Sequence, residues 1–186
     1  MTTAIVALGA NQRLRDRAPV ETLDLALARL DAFAGVRVSM RSRWYRTPAF
    51  PAGSGPDFVN GAATLETDLP ATEVLAAMHA IEAELGRRRR ERWAPRTCDL
   101  DLLGLDETVL PDAETALRWM SMSDAEAKAD AADRLILPHP RMQSRAFVLV
   151  PVCDVAPHWR HPLLGKTVRE MCDALPPAAL TEVSPI

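Results

Sequence analysis

The hydrophobic pattern divides the chain into alternating short and helical periods. Thr3 to Leu8 is a short apolar run closed by Gly9-Ala10-Asn11, which predicts a buried strand ending in a turn. Val20, Leu23, Leu27 and Leu30 then recur at helical spacing behind Pro19, and Gly35 follows where such a helix would stop. Val36 to Tyr45 alternates apolar and polar residues, with Trp44 out of step, and predicts a strand. The Pro- and Gly-rich stretch Thr47 to Asp57 predicts a loop, and Phe58 to Thr67 a further strand. Behind Pro70, the residues Val74, Leu75, Met78, Ile81 and Leu85 share one helical face, ending at Gly86. Thr97 to Leu103 again reads as a strand. The predicted order is βαββαβ, the ferredoxin-like α+β arrangement, in which both helices pack on one face of an antiparallel sheet. The other sheet face is then left for the rest of the chain or for a ligand.

Beyond this core the pattern changes. Asp112 to Asp133 is Ala-rich and holds six carboxylates against Arg118 and Lys128, as expected of an exposed helical insertion or flap. Ile136 to Pro140 reads as a short strand, Arg145 to Val155 as an apolar helix, and Thr167 to Leu175 as a last short helix. The Pro-rich tail after Leu175 is expected to fray. With 186 residues, 48% of them hydrophobic, the chain has enough material for one domain, residues 1–186, with 112–133 as an insertion within it.

Charge and cysteine usage narrow the function. Lys+Arg 22 against Asp+Glu 25 gives a net charge of -3, without the basic excess of a general nucleic-acid binder. No stretch approaches the roughly 20 apolar residues of a membrane span, and the apolar start lacks a basic flank, so a cytoplasmic protein is expected. Cys98, Cys153 and Cys172 are odd in number and widely spaced, which suits reduced thiols rather than a disulfide framework. His158 and His161 are spaced for a metal, but a solvated loop is the expected setting.

The sharpest local signal is Asp99-Leu100-Asp101. On a strand both carboxylates leave the same face, about 6–7 Å apart, while Leu100 points away. Alone, this pattern is more often a solvated acidic strand face. The preceding segment shifts that weight, because it holds six arginines within ten residues, Arg87 to Arg90, Arg92 and Arg96, together with Trp93 and Pro95. Such a cationic cluster calls for an anion, and the planar guanidinium fits phosphate oxygens in pairs. Trp93 offers a flat surface for an adenine or pterin ring. Paired carboxylates suit Mg²⁺, which completes its shell with water and substrate phosphates. Together these residues describe a site for a nucleoside triphosphate with Mg²⁺.

The run Arg92-Trp93-Ala94-Pro95-Arg96-Thr97-Cys98-Asp99-Leu100-Asp101 resembles the signature R-W-G-P-R-T-x-D-L-D of the hydroxymethyldihydropterin pyrophosphokinases of folate biosynthesis. Gly9-Ala10-Asn11, Tyr45-Arg46-Thr47-Pro48, Phe58-Val59-Asn60, Pro138-His139-Pro140-Arg141-Met142 and Arg145-Ala146-Phe147 are similar to further segments of that family, in the same order. The resemblance implies ATP-dependent pyrophosphoryl transfer to 6-hydroxymethyl-7,8-dihydropterin with release of AMP. By the same resemblance Asp99 and Asp101 hold two Mg²⁺ ions, and Arg87 and Arg96 act in catalysis. Glu82, Arg89, Trp93, Arg134, His139 and Arg145 are implied on the nucleotide side. Thr47, Pro48, Phe50, Phe58, Asn60 and Phe147 are implied on the pterin side, with Phe58 and Phe147 sandwiching the ring. A monomer working on small molecules, with no nucleic acid or membrane partner, is expected. Ala94 stands where the family has glycine, and Pro140 where it commonly has an aromatic residue. A relative with a changed pterin alcohol is the alternative, and a ferredoxin-like RNA-binding module a more distant one. Against the second, Phe58 to Thr64 lacks the aromatic pattern such modules stack on bases.

Overall fold

A computed structural model describes residues 1–49, 55–86, 96–123, 126 and 135–186. Its centre is an antiparallel sheet of β1 (Thr2–Ala10), β2 (Val36–Arg41), β3 (Tyr45–Thr47), β4 (Phe58–Thr67), β5 (Asp99–Leu105) and β6 (Ser184–Pro185). The spatial order is β5-β1-β4-β3-β6, with β2 also paired to β4. β1 runs the full length of β4, from Thr2 opposite Thr67 to Ala10 opposite Val59, and carries β5 on its other side. Taking β2 and β3 as one interrupted strand, this is the ferredoxin-like order, with helices α1 (Pro19–Asp31) and α2 (Ala71–Glu84) crossing between the strands.

The two helices bury their apolar stripes on one sheet face. Leu23, Leu27 and Leu30 from α1 and Val74, Met78 and Ile81 from α2 meet Val6, Leu8, Leu65, Leu100 and Leu102 in a single cluster. Pro19 opens α1, where its missing N–H costs nothing, and the Glu21 carboxylate accepts the Ala18 amide at 2.6 Å. Gly86, at φ +82, ends α2 in the left-handed conformation that glycine adopts without strain.

The opposite face is half covered. Helix α3 (Ala113–Ser121) follows β5. The later helices α4 (Ala146–Val155) and α5 (Val168–Asp173) pack Val148, Leu149, Val152, Val168 and Met171 onto Ile5, Ala62 and Leu103. Helix α6 (Pro177–Thr181) completes the chain's helices among the described residues.

Several expectations are corrected here. The strand expected over Val36–Tyr45 breaks at Ser42–Trp44. The Ser42 hydroxyl accepts the Ala62 amide at 2.9 Å there, and the Trp44 indole crosses β4 toward α1, its Nε1 donating to Asp24 at 3.3 Å. Ile136–Pro140 is not a strand: only an isolated bridge joins Leu137 to Leu110. The tail is ordered rather than frayed. β6 pairs with β3, and the Ile186 amide donates to the Trp44 carbonyl at 3.0 Å, covering a sheet edge that would otherwise stand open. His161 is fully buried rather than solvated. The segment after β5 is partly packed. Asp112 caps α3, and Ala116 and Trp119 bury against Ile136. Most of the remaining insertion lies outside the described residues.

Gly61 has a packing reason. A Cβ there would stand 2.3 and 2.5 Å from the Trp44 ring, which is held between β4 and α1. Gly61→Ala should therefore destabilise the fold by about 1–3 kcal/mol, an overpacking cost. In urea titrations, Trp44→Ala in the same chain should recover part of that loss. A Gly61→Ala protein as stable as the parent would show that the ring is free to move.

Candidate functional site

The site forms where α4 stops covering the sheet. Leu100, Leu102 and Leu105 of β5 enter the core beneath α1 and α2, while Leu103 packs under α4. Alternation therefore puts Asp99 and Asp101 on the α4 face, where both are half-buried. Across the sheet the register sets Gly9 beside Asp99 and Ala7 beside Asp101, so small residues leave open space next to the carboxylates. On the far side of Gly9 lies Asn60, and next to Asn60 on the edge lies Tyr45.

Cations and an imidazole close over the acidic pair. Arg96 ion-pairs with Asp99. The His139 amide donates to the Leu103 carbonyl at 2.8 Å, which brings the imidazole above β5, and its Nδ1 accepts the Arg141 amide at 3.2 Å. Burial pushes the His139 pKa below its ordinary value. Asp101 pulls it up, and Arg145 pushes it down. Arg145, at the start of α4, is likewise lowered by burial, with Asp101 and Asp99 opposing and Arg141 and Arg96 reinforcing that shift. These mutual influences place Arg96, Asp99, Asp101, His139 and Arg145 in one electrostatic neighbourhood. The Arg145 guanidinium also lies over the ring of Phe147, 5.7 Å from its centre, and Phe147 is 40% exposed.

The second half of the site is polar and held from below. Asn60 is buried and its amide nitrogen donates to the Thr47 hydroxyl at 2.8 Å. A Cβ on Gly9 would sit 3.2 Å from the Asn60 side-chain Oδ1, so glycine leaves that oxygen its room. Phe58 is half-buried and Pro48 exposed at the same rim.

One expected ligand residue is placed elsewhere. Glu82 on α2 is 1% exposed, beneath the sheet, and its carboxylate accepts the Leu100 amide at 2.7 Å. β5 has no further strand beyond it among the described residues, and Glu82 satisfies a backbone donor between the two aspartates. Its helical position near the Arg-rich segment suggested a nucleotide contact, and the core-facing side of α2 took it instead. Phe50, Arg87, Arg89, Trp93 and Arg134 lie outside the described residues, as does Ala94.

Asn11 had stood out only as part of a family motif, but its side chain ties the site's margins together. Its Oδ1 accepts the Arg96 amide at 3.0 Å, and its Nδ2 donates to the Pro56 carbonyl at 3.3 Å. The sequence signal is its place in the turn directly after β1; at 8% exposure its polar atoms must be paired.

Among the described residues no three His, Cys, Asp or Glu side chains gather as a metal cluster. Two carboxylates on one open strand face nevertheless suit Mg²⁺, which commonly takes only one or two from the protein. No helix among the described residues is long and apolar enough to cross a membrane.

A ferredoxin-like sheet here carries paired strand carboxylates facing clustered cations, an arrangement whose charges complement a metal-bound polyphosphate. The chain belongs to the 7,8-dihydro-6-hydroxymethylpterin-pyrophosphokinase family, whose profile matches residues 5–157. It is 38% identical over 183 residues to the 2-amino-4-hydroxy-6-hydroxymethyldihydropteridine pyrophosphokinase of Synechocystis sp., covering 98% of this chain and 80% of that one. The protein of the same name from Pseudomonas aeruginosa is 36% identical over 171 residues, covering 92% of this chain and 90% of that one. Among solved structures, the wild-type HPPK-DHPS of Plasmodium falciparum with pteroate superposes with a TM-score of 0.66 at 14% identity. That match covers 92% of this chain and 44% of the other, so this chain spans under half of that longer protein and the likeness carries the fold alone.

Proposed function

We propose that this site transfers the pyrophosphoryl group of ATP to the hydroxymethyl oxygen of 6-hydroxymethyl-7,8-dihydropterin, releasing AMP. The observation that carries the reading is the placement of Asp99 and Asp101 on one open face of β5, with Arg96, Arg145 and His139 around them. In the reaction the substrate oxygen forms a bond to the β-phosphorus of ATP while the bond from that phosphorus to the α-bridging oxygen breaks. Little covalent work falls to the protein, so positioning and charge neutralisation dominate.

Asp99 and Asp101 are the residues that would hold Mg²⁺, with two ions as the family resemblance implies. When bound, the metal neutralises phosphate charge and makes the attacking hydroxyl more acidic. Arg96 and Arg145 supply donors to phosphate oxygens, and Arg87 and Arg89 extend that set. His139 contacts the nucleotide as a neutral donor, because its lowered pKa leaves the ring uncharged at neutral pH and its Nδ1 is already an acceptor. Asn60 and Thr47 read the polar edge of the pterin, while Phe58 and Phe147 flank its ring and Trp93 stacks on the nucleotide side. The hydroxyl proton leaves to Asp101 or to solvent. The enzyme works as a monomer in the cytoplasm. Cys98, Cys153 and Cys172 are free thiols, the state a reducing compartment maintains.

The test is product identity. With ATP, Mg²⁺ and the pterin alcohol, phosphorus NMR should show AMP and a pterin diphosphate in equal amounts. Formation of ADP would overturn the pyrophosphoryl assignment.

A further inference from the structure

The edge of the sheet beside Asn60 is weak by construction. β3 has only three residues, and the break at Ser42–Trp44 separates it from β2. A single carboxylate from another layer fills that break. Asp154, in the last turn of α4, accepts four donors: the Arg43 amide at 3.2 Å, Arg43 Nε at 3.1 Å, Arg43 Nη2 at 3.0 Å and the Tyr45 hydroxyl at 2.8 Å. The first of these is a backbone group, whose bond Asp154 supplies at the interruption. The two guanidinium bonds form the paired geometry that fixes direction as well as distance. Tyr45 is 2% exposed and lies directly opposite Asn60 in the ladder, on the same face. Two residues further along, the Thr47 hydroxyl accepts the Asn60 amide. Asn60 is itself buried, so its orientation depends on where β3 holds Thr47.

We propose that Asp154 is a positioning residue of the substrate pocket, holding β3 through Arg43 and Tyr45 so that Thr47 fixes the Asn60 amide in the orientation the ligand meets. The same helix carries Arg145 at its other end, nine residues away, or about 14 Å along the axis. Helix α4 therefore contributes to both the phosphate side and the pterin side of the site. The inference rests on the pterin assignment made above.

Tyr45→Phe removes one hydroxyl and keeps the ring in place, and Asp154→Asn removes the charge at constant shape. In initial-rate measurements with each substrate varied, both variants should raise KM for the pterin alcohol about tenfold, the upper end of what losing one hydrogen bond costs. KM for ATP and kcat should stay within about twofold, as expected for sites without shared partners. Unchanged KM for the pterin would overturn the proposal. So would equal rises in both KM values accompanied by a lower Tm, since that pattern reports general loosening. The Asn60 side-chain amide signal in ¹⁵N-correlated NMR supplies a readout independent of turnover. It should shift in Tyr45→Phe, and an unmoved signal would also refute the role. If the signal shifts but the parent protein makes no AMP, the pterin assignment fails and the positioning role stands.

Discussion

Asp101→Asn should lower the rate of AMP formation by about 10³-fold or more while leaving the thermal transition in place. The scale is that of deleting one preorganised charge from a transition-state site. The change is nearly isosteric on a half-buried strand position facing open space beside Ala7, so the fold loses no core contact. The carboxylate matters because Asp101 is the anion that opposes the effect of burial on both His139 and Arg145. Without it, only Asp99, already paired with Arg96, remains to gather Mg²⁺ on a cation-rich face, and triphosphate binding alone does not orient the β-phosphorus for attack. Asp99→Asn should be nearly as severe, with one difference. It also releases Arg96 from its ion pair, so ATP affinity should hold up better in this variant than turnover does. The measurements are kcat from AMP release, ATP binding by calorimetry and Tm by circular dichroism. Near-parental kcat in Asp101→Asn would remove the metal-holding role.

Stability should fall as the pH drops from 6.5 toward 4, and His161 should account for a loss on the order of 3 kcal/mol. The ring is fully buried beside α5, edge-on to Trp159 with the two centres 5.8 Å apart. Its Nδ1 accepts the Leu163 and Leu164 amides, both at 3.3 Å, so the single proton sits on Nε2, which has no hydrogen-bond partner among the described residues. A second proton on Nδ1 would face two N–H donors in a dry setting. Burial accordingly pushes the pKa from 6.5 down to about 4. The sign follows from the direction of that shift. Below 6.5 the unfolded chain takes up a proton that the folded state refuses until about pH 4. The stabilisation is complete above 6.5 and is lost progressively through that window. His139 is lowered as well and contributes in the same direction, so the comparison needs a His161→Asn variant. An asparagine oxygen is able to accept the same amides but does not titrate, and the slope of unfolding free energy against pH between 4 and 6.5 should flatten. An unchanged slope would assign the acid sensitivity to other groups.

The two aspartates and the buried histidine differ in how far the chain alone disclosed them. Alternation along Asp99-Leu100-Asp101 is a local rule, and it placed both carboxylates on one face before any partner was known. The 3.6-residue spacing of Leu23, Leu27 and Leu30, and of Val74, Met78 and Ile81, likewise identified the faces that bury against the sheet. His161 gave no such signal. H-W-R-H is polar in composition, and what buries it is the packing of residues 157–168 against α4 and α5. Glu82 shows the same limit from the other direction. A carboxylate near an arginine cluster suggests a ligand contact, but the rotation of α2 turned it inward to a backbone amide of β5.

What the sequence by itself determined is the βαββαβ order of the core, the acidic face of β5 and the cationic segment that leads into it. Each of these arises from rules that act within a few residues, namely strand alternation, helical periodicity and turn chemistry. Tertiary structure alone decided which side of the sheet received α4, where the tail sealed an edge, and which residues hold the site from behind. Tyr45 and Asp154 are 109 residues apart and Asn11 and Arg96 are 85 apart. No local window contains either pair. They meet because the two apolar faces of one sheet must both be covered, and the helices that cover them bring distant polar groups within hydrogen-bonding reach.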